Sequence, residues 1–250
     1  MKKYAWVTLL STIDYLEAVL VLNNSLKKTK TKYKLIAAIT PNVSKEKEII
    51  KILNNEGIIV ELIPWFEYNE NTKKRLAEFK SCSVFNVGSK IEIFGLTNYD
   101  KLVYIDADSL VVKNIDFLFT KKDGSSLVND FSKCFCALFV FIPKNHPLEY
   151  YKTILNYCVA NDGELLEKIW WQTIDNKKYH ISNNYFYIPF DGNDCKTNIK
   201  AYHLLKKELK YWQFKKIPNE KLANKYKEYL FPIREKYKKE FNKLFILRSN

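Results

Sequence analysis

Leu102-Val103-Tyr104-Ile105-Asp106-Ala107-Asp108 is an apolar, partly β-branched run that ends in two carboxylates separated by one small residue. Such a run reads as a buried strand. Carboxylates at the C-terminal end of a strand suit a ligand crevice, because open α/β sheets bind ligands outside the carboxyl ends of their strands. Carboxylate oxygens also suit a hard divalent cation, Mg²⁺ or Mn²⁺, that shares its other positions with phosphate oxygens. The bare pair has a second reading, since aspartates also cap helices and close turns at strand ends.

Upstream, Tyr4–Leu10 reads as a first buried strand. A helix capped by Thr12 or Asp14 runs to about Leu26, with Leu16, Val19, Leu20 and Asn23 at helical spacing. Leu35–Ile39 is a second strand, stopped by Pro41. A helix beginning at Ser44 carries Ile49, Ile50 and Leu53 on its apolar stripe and ends at Gly57. Ile58–Ile63 is a third strand. This βαβαβ opening predicts a parallel sheet with right-handed crossovers. A helix over about 84–96 precedes the Asp106 strand. Downstream, the pattern predicts a turn or short helix over 114–119, a loop over 122–126, a core strand over 137–142, helices over 148–159 and 164–174, and an irregular edge strand over 179–189.

The 250 residues are 47% hydrophobic and 15% aromatic, enough for a sizeable core, and only 6 Gly and 7 Pro argue against long linkers. The N-terminus begins basic and turns apolar, but Ser11, Thr12 and Asp14 interrupt the run before any leader pattern is complete, and a first core strand is the expectation. No apolar run is long enough to span a bilayer. Five cysteines, an odd number without zinc-finger spacing, predict free thiols and a cytoplasmic setting. Asn42-Val43-Ser44 matches a glycosylation sequon, which carries no weight without secretion.

Four blocks resemble the glycogenin-like glycosyltransferases of family 8, in that family's order, over about residues 4–212. They are Val7–Thr12 with Tyr15 and Ala18–Leu26; Gly88-Ser89-Lys90-Ile91; Tyr104–Val111 with Asn114-Ile115-Asp116; and Ala201–Leu205 with Lys210 and Trp212. The resemblance implies an α/β GT-A fold, with a Rossmann-like, mostly parallel central sheet flanked by helices. It implies a UDP-sugar donor held by Leu9, Ser11, Thr12, Tyr15, Lys90, Ile105, Asp106, Ala107, Asp108 and Lys210, with Tyr15 placed to stack on the base. It implies Mn²⁺ or Mg²⁺ on Asp106, Asp108 and His203, following the DxD pattern, and catalytic roles for Gln172 and Lys90. The expected activity is metal-dependent, retaining transfer of a hexose, glucose first, to a glycan, protein or lipid acceptor. The family often forms homodimers.

Two departures stand out. Phe135-Cys136-Ala137 replaces the family's Asn-Ser-Gly or Asn-Ala-Gly beside the sugar, and Trp171-Gln172 replaces its Asp-Gln, leaving Asp162, Glu167 or Asp175 as substitutes for the missing acid. They motivate the alternative of a catalytically degenerate GT-A-fold nucleotide-sugar-binding protein. Lys210-Tyr211-Trp212 also stands where the family has Lys-Pro-Trp.

From residue 213 the composition shifts to eleven basic and four acidic residues, more than half of the chain's +13, interleaved with aromatics. The expected organisation is a transferase domain over 1–212 and a basic helical extension over 213–250, divided by Pro218 and Pro232. Helices packing an aromatic stripe on the domain are one reading, and peripheral contact with an anionic membrane is another. Nothing in the chain resembles a nucleic-acid-binding motif, so no nucleic-acid partner is expected.

Overall fold

The computed structural model describes residues 2–78, 88–128, 135–157, 166, 168–170, 176–182, 185–187, 199–203 and 220–246. In chain order the strands are β1 (Tyr4–Leu10), β2 (Leu35–Ile39), β3 (Ile59–Leu62), β4 (Lys101–Ile105), β5 (Ser109–Val111), β6 (Ser125–Val128), β7 (Phe135–Phe141), β8 (His180–Ser182), β9 (Phe186–Tyr187) and β10 (Ala201–His203). The α-helices are α1 (Leu16–Lys28), α2 (Pro41–Ser44), α3 (Lys47–Asn55), α4 (Glu70–Glu78), α5 (Leu148–Tyr157), α6 (Glu220–Lys236) and α7 (Lys238–Ile246).

Among the described residues, seven strands form one sheet in the order β3-β2-β1-β4-β7-β6-β8, and β5-β10-β9 form a second, smaller one. Within the large sheet β3, β2, β1 and β4 are mutually parallel, β7 runs against both β4 and β6, and β6 and β8 are parallel. The expected mostly parallel α/β sheet is what the chain forms.

The strands alternate between two hydrophobic layers, as period-two side chains must. Trp6, Leu10, Ala37, Ile39, Val103, Ile105, Leu138 and Val140 face the layer that contains α1, α3 and the C-terminal helices. Ala5, Val7, Ile36, Ala38, Leu102, Tyr104, Phe139 and Phe141 face the other layer, built from residues 88–96 and α5. Burial on both faces explains why β1, β2 and β4 read as continuous apolar runs.

Several elements differ from expectation. Pro41 stops β2 and also opens α2, where its fixed φ suits a first helical turn. Residues 88–95 wind as a 3-10 helix. Ser125 and Ser126 belong to β6, with a register shift after Ser126. The irregular edge segment resolves into β8 and β9. Pro232 lies inside α6, and the break between the last two helices falls at Tyr237. No helix among the described residues is long and apolar enough to cross a membrane.

The C-terminal helices dock through Leu222, Tyr226, Tyr229, Leu230, Ile233, Tyr237, Phe241 and Leu244, all in the first hydrophobic layer. Arg234 makes a two-pronged bond to Glu17 of α1, Nε to Oε1 at 2.6 Å and Nη2 to Oε2 at 2.7 Å. Lys236 and the Tyr237 hydroxyl both bond Glu56 Oε1, at 2.7 and 2.8 Å.

Candidate active site

β1 and β4 are parallel neighbours with Val7 opposite Tyr104. Their C-terminal ends, Leu9–Thr12 and Asp106–Asp108, therefore open on the same edge of the sheet. This is the edge at which a parallel α/β sheet binds its ligand.

Asp106 follows β4 directly, and its amide donates to the Ala137 carbonyl at 2.9 Å. The Ser109 amide donates back to the Asp106 carbonyl at 3.1 Å, which turns the chain into β5. Asp108 is buried in that turn, 6% exposed. β5 pairs antiparallel with β10, and His203 lies opposite Ser109. The register thus brings the backbone of the third expected ligand to the residue next to Asp108.

Lys90, which a solvated helix surface would have left exposed, is only 7% exposed. Its ammonium lies 3.2 Å from Asp106 Oδ1, 3.4 Å from the Cys136 carbonyl and 4.8 Å from the centre of the Tyr104 ring. Tyr104 donates its hydroxyl to the same Asp106 oxygen at 2.6 Å.

On the β1 side the Tyr15 amide donates to the Thr12 carbonyl at 3.2 Å, closing a 3-10 turn over Ile13–Tyr15 before α1. Tyr15 is partly buried against the first hydrophobic layer, and Leu9 packs against the second. The Ser11 carbonyl accepts from Asn42 Nδ2 at 2.8 Å and from Thr40 Oγ1 at 3.4 Å. Asn42, which the sequence offered only as a sequon, ties α2 to the loop expected to hold the base.

The downstream Asn114-Ile115-Asp116 acts as a clasp. Asn114 Nδ2 donates to the Thr29 carbonyl at 3.1 Å, and Asp116 accepts from Thr31 Oγ1 at 2.5 Å and from the Lys32 amide at 2.9 Å. The exit of β5 is thereby fastened to the α1–β2 turn, where Lys30 has a positive φ of 59°.

Leu9, Ser11, Thr12, Tyr15, Lys90, Ile105, Asp106, Ala107 and Asp108 are thus carried to one edge of the sheet. Gln172, Trp171 and Lys210 lie outside the described residues, as does the side chain of His203. No group of three His, Cys, Asp or Glu side chains is assembled among the described residues. The donor chemistry nonetheless fits a hard cation: two carboxylates one residue apart, with a histidine backbone in register beside them. Ser109 Oγ, enclosed and without a hydrogen-bond partner among the described residues, adds an uncommitted oxygen at the same turn. Sequence reading missed Tyr104 and Asn42. For Tyr104 the signal was present, because Tyr104 and Asp106 are two apart on a strand and share a face.

No family model matches the chain. Galactinol synthase 3 of Arabidopsis thaliana is 37% identical over 137 residues, 54% of this chain and 38% of that protein. Glycogenin-2 of Homo sapiens is 31% identical over 232 residues, 86% of this chain and 44% of that protein. The chain therefore spans less than half the length of either relative. In fold it resembles the galactosyltransferase LgtC, solved with donor and acceptor sugar analogs, with a TM-score of 0.61 at 11% identity over 91% of this chain and 95% of that one. The chain is thus a relative of the glycogenins and galactinol synthases, glycosyltransferases of family 8, and it has the mixed α/β fold of the GT-A glycosyltransferases.

Proposed function

We propose that the protein transfers a hexose from a UDP-sugar to a hydroxyl of a glycan, protein or lipid acceptor, with retention at the anomeric carbon and dependence on a divalent cation. One observation carries the reading: Asp106 and Asp108 stand at the end of β4, facing the same sheet edge as Leu9–Thr12, in a chain related to glycogenins and galactinol synthases. Glucose is the first choice of sugar. Galactose is the natural competitor, given the names of galactinol synthase and of the galactosyltransferase LgtC.

In this reading Leu9, Ser11, Thr12 and Tyr15 hold the uridine, with the Tyr15 ring against the base. Asp106, Asp108 and His203 would hold Mn²⁺ or Mg²⁺, whose positive charge would offset the charge gathering on the diphosphate. Lys90 and Lys210 add fixed positive charge where the phosphates lie. The bond between the anomeric carbon and the β-phosphate oxygen breaks, and its electron pair leaves with the phosphate. The acceptor oxygen bonds to the same face of the carbon, and its proton passes to the departing phosphate oxygen. With tryptophan at position 171, this front-face course needs no protein carboxylate as nucleophile, and Gln172 orients the sugar through its carbonyl dipole.

The test is hydrolysis and binding across a panel of UDP-sugars with Mn²⁺, with an EDTA control and Asp108→Ala alongside. The expected result is turnover of one hexose donor, abolished by EDTA and reduced about 10²- to 10³-fold in the variant, the loss typical of removing one preorganised charge-stabilising group. UDP binding with no turnover of any donor, even with glycan acceptors present, would favour the degenerate binding protein. Absence of UDP binding would refute both.

A further inference from the structure

We propose that the Tyr104 hydroxyl is a positioning group that fixes Asp106 as a one-oxygen ligand and so sets which divalent cation the site accepts. The inference rests on the metal-dependent reading above. Its ground is the geometry around a single atom, Asp106 Oδ1.

Leu102, Tyr104 and Asp106 project from one face of the chain, at period two. The Tyr104 ring is buried, 1% exposed, and stacked on Phe139 with centroids 4.8 Å apart and planes 17° from parallel. A ring so held places its hydroxyl at one point, and that point is 2.6 Å from Asp106 Oδ1. The Lys90 ammonium reaches the same oxygen from 3.2 Å and is itself tethered by the Cys136 carbonyl and the Tyr104 ring face. The Asp106 amide is bonded to Ala137, which fixes the backbone beneath. Two donors on Oδ1 stop the carboxylate from turning about its Cβ–Cγ bond, so Oδ2 keeps one direction.

A carboxylate locked in this way offers one oxygen to a cation. Small cations with strict octahedral preferences accept that arrangement, whereas Ca²⁺ favours more oxygens and readily takes both from one carboxylate. Hydrogen bonds of this kind orient ligands and tune affinity, and losing one commonly costs about 10- to 100-fold in metal binding. Tyr104 is therefore a specificity device that acts through Asp106.

The experiment is Mn²⁺ binding to the full chain in saturating UDP, read from the paramagnetic resonance signal of free Mn²⁺, with Ca²⁺ as competitor. Tyr104→Phe keeps the ring and its stack on Phe139 and removes only the hydroxyl. Its Mn²⁺ affinity should fall about 10- to 100-fold, and its preference for Mn²⁺ over Ca²⁺ should narrow, while metal-free UDP affinity and the unfolding temperature stay near those of the parent. A Tyr104→Phe protein with parental Mn²⁺ affinity and parental discrimination against Ca²⁺ would overturn the proposal and leave the functional reading standing. Should the variant fail to fold, the parent alone still decides: it must bind Mn²⁺ more tightly than Ca²⁺, and equal binding overturns the proposal. A parent that binds UDP but no Mn²⁺ at all would overturn the proposal and the metal-dependent reading together.

Discussion

Asn42 and Lys90 show what a single side chain reveals in sequence and what it hides. Both are ordinary polar residues in a chain rich in Lys and Asn. Asn42 gains meaning only because β1 and β2 are parallel, with Leu10 opposite Ile39. That register sets Asn42 against the Ser11 carbonyl, where it makes a 2.8 Å bond. Asn42→Ala removes one hydrogen bond from the loop expected to hold the uridine, a net loss of about 1 kcal/mol or roughly fivefold in binding. In a UDP-sugar the uridine is separated by the diphosphate from the bond that the proposed reaction breaks, so contacts to it would be the same in ground and transition states. Steady-state kinetics should show KM for the UDP-sugar rising roughly fivefold with kcat nearly unchanged. A fall in kcat at constant KM would show that Asn42 acts on the chemistry instead. The place of the Asp106–Asp108 pair at the end of β4 was legible from the apolar run before it, whereas its reading as a metal site came from the family resemblance, because aspartates at strand ends also cap helices and close turns. The bond of Tyr104 to Asp106 follows from their two-residue spacing, whereas that of Lys90 depends on how residues 88–95 pack against the sheet, which linear spacing does not encode.

Among the elements, β1 and β2 were readable to the residue because both are buried on two faces and bounded by polar residues. β6 escaped because Ser125 and Ser126 are small and polar, although both are buried in the sheet. The loop that enters β6 is pinned by Asp123, which joins two elements far apart in sequence. Its carboxylate accepts from the Ile142 amide, from Asn145 Nδ2 and from the His146 ring at 2.7–2.8 Å. The other His146 nitrogen meets the Tyr151 hydroxyl of α5 at 2.7 Å. Burial alone would push the Asp123 carboxyl upward, and burial followed by the charge of Asp123 pushes Tyr151 up to about 12. The bonds and charge of His146, with those of Asn145 and Ile142, outweigh burial and hold Asp123 below the usual carboxylate range. A depressed carboxyl stabilises the fold at pH above its unfolded value, about 3.9, and the stabilisation drains away as pH falls through the folded value. Denaturant unfolding measured from neutral pH downward should show a steepening loss below about pH 4, and Asp123→Asn should lower stability at pH 7 while flattening that acid limb. An unchanged acid limb in the variant would mean that other carboxylates, Glu56 among them, carry it.

For the whole molecule, the question is what the C-terminal helices do. Their composition announces a basic segment, yet positions 222, 226, 230, 233, 237, 241 and 244 recur at three- to four-residue spacing and are buried in the layer that covers β1 and β4. Composition registers the outer lysines, whereas the spacing registers the inner face, and the inner face decides the packing. The docking is keyed by Glu17, whose side chain is 4% exposed, against Arg234 at 38%. Glu17 lies one residue into α1, just after the loop of Ser11–Tyr15, so the contact also fixes the helix that carries that loop. Removing one partner of a fully buried pair costs about 3–5 kcal/mol, because the remaining charge is stranded. The partly solvated guanidinium reduces that, so Arg234→Leu should cost about 2 kcal/mol, or roughly 4–8 °C in Tm for a chain of this size. Glu17→Gln in the same background removes the stranded charge, and the double variant should recover at least half of the loss. That recovery, measured as the coupling in a double-mutant cycle of unfolding free energies, separates a charge keyed to its partner from helices held by their apolar stripe alone. Additive losses would assign the docking to the stripe, and Arg234 would then be a surface residue that happens to point inward.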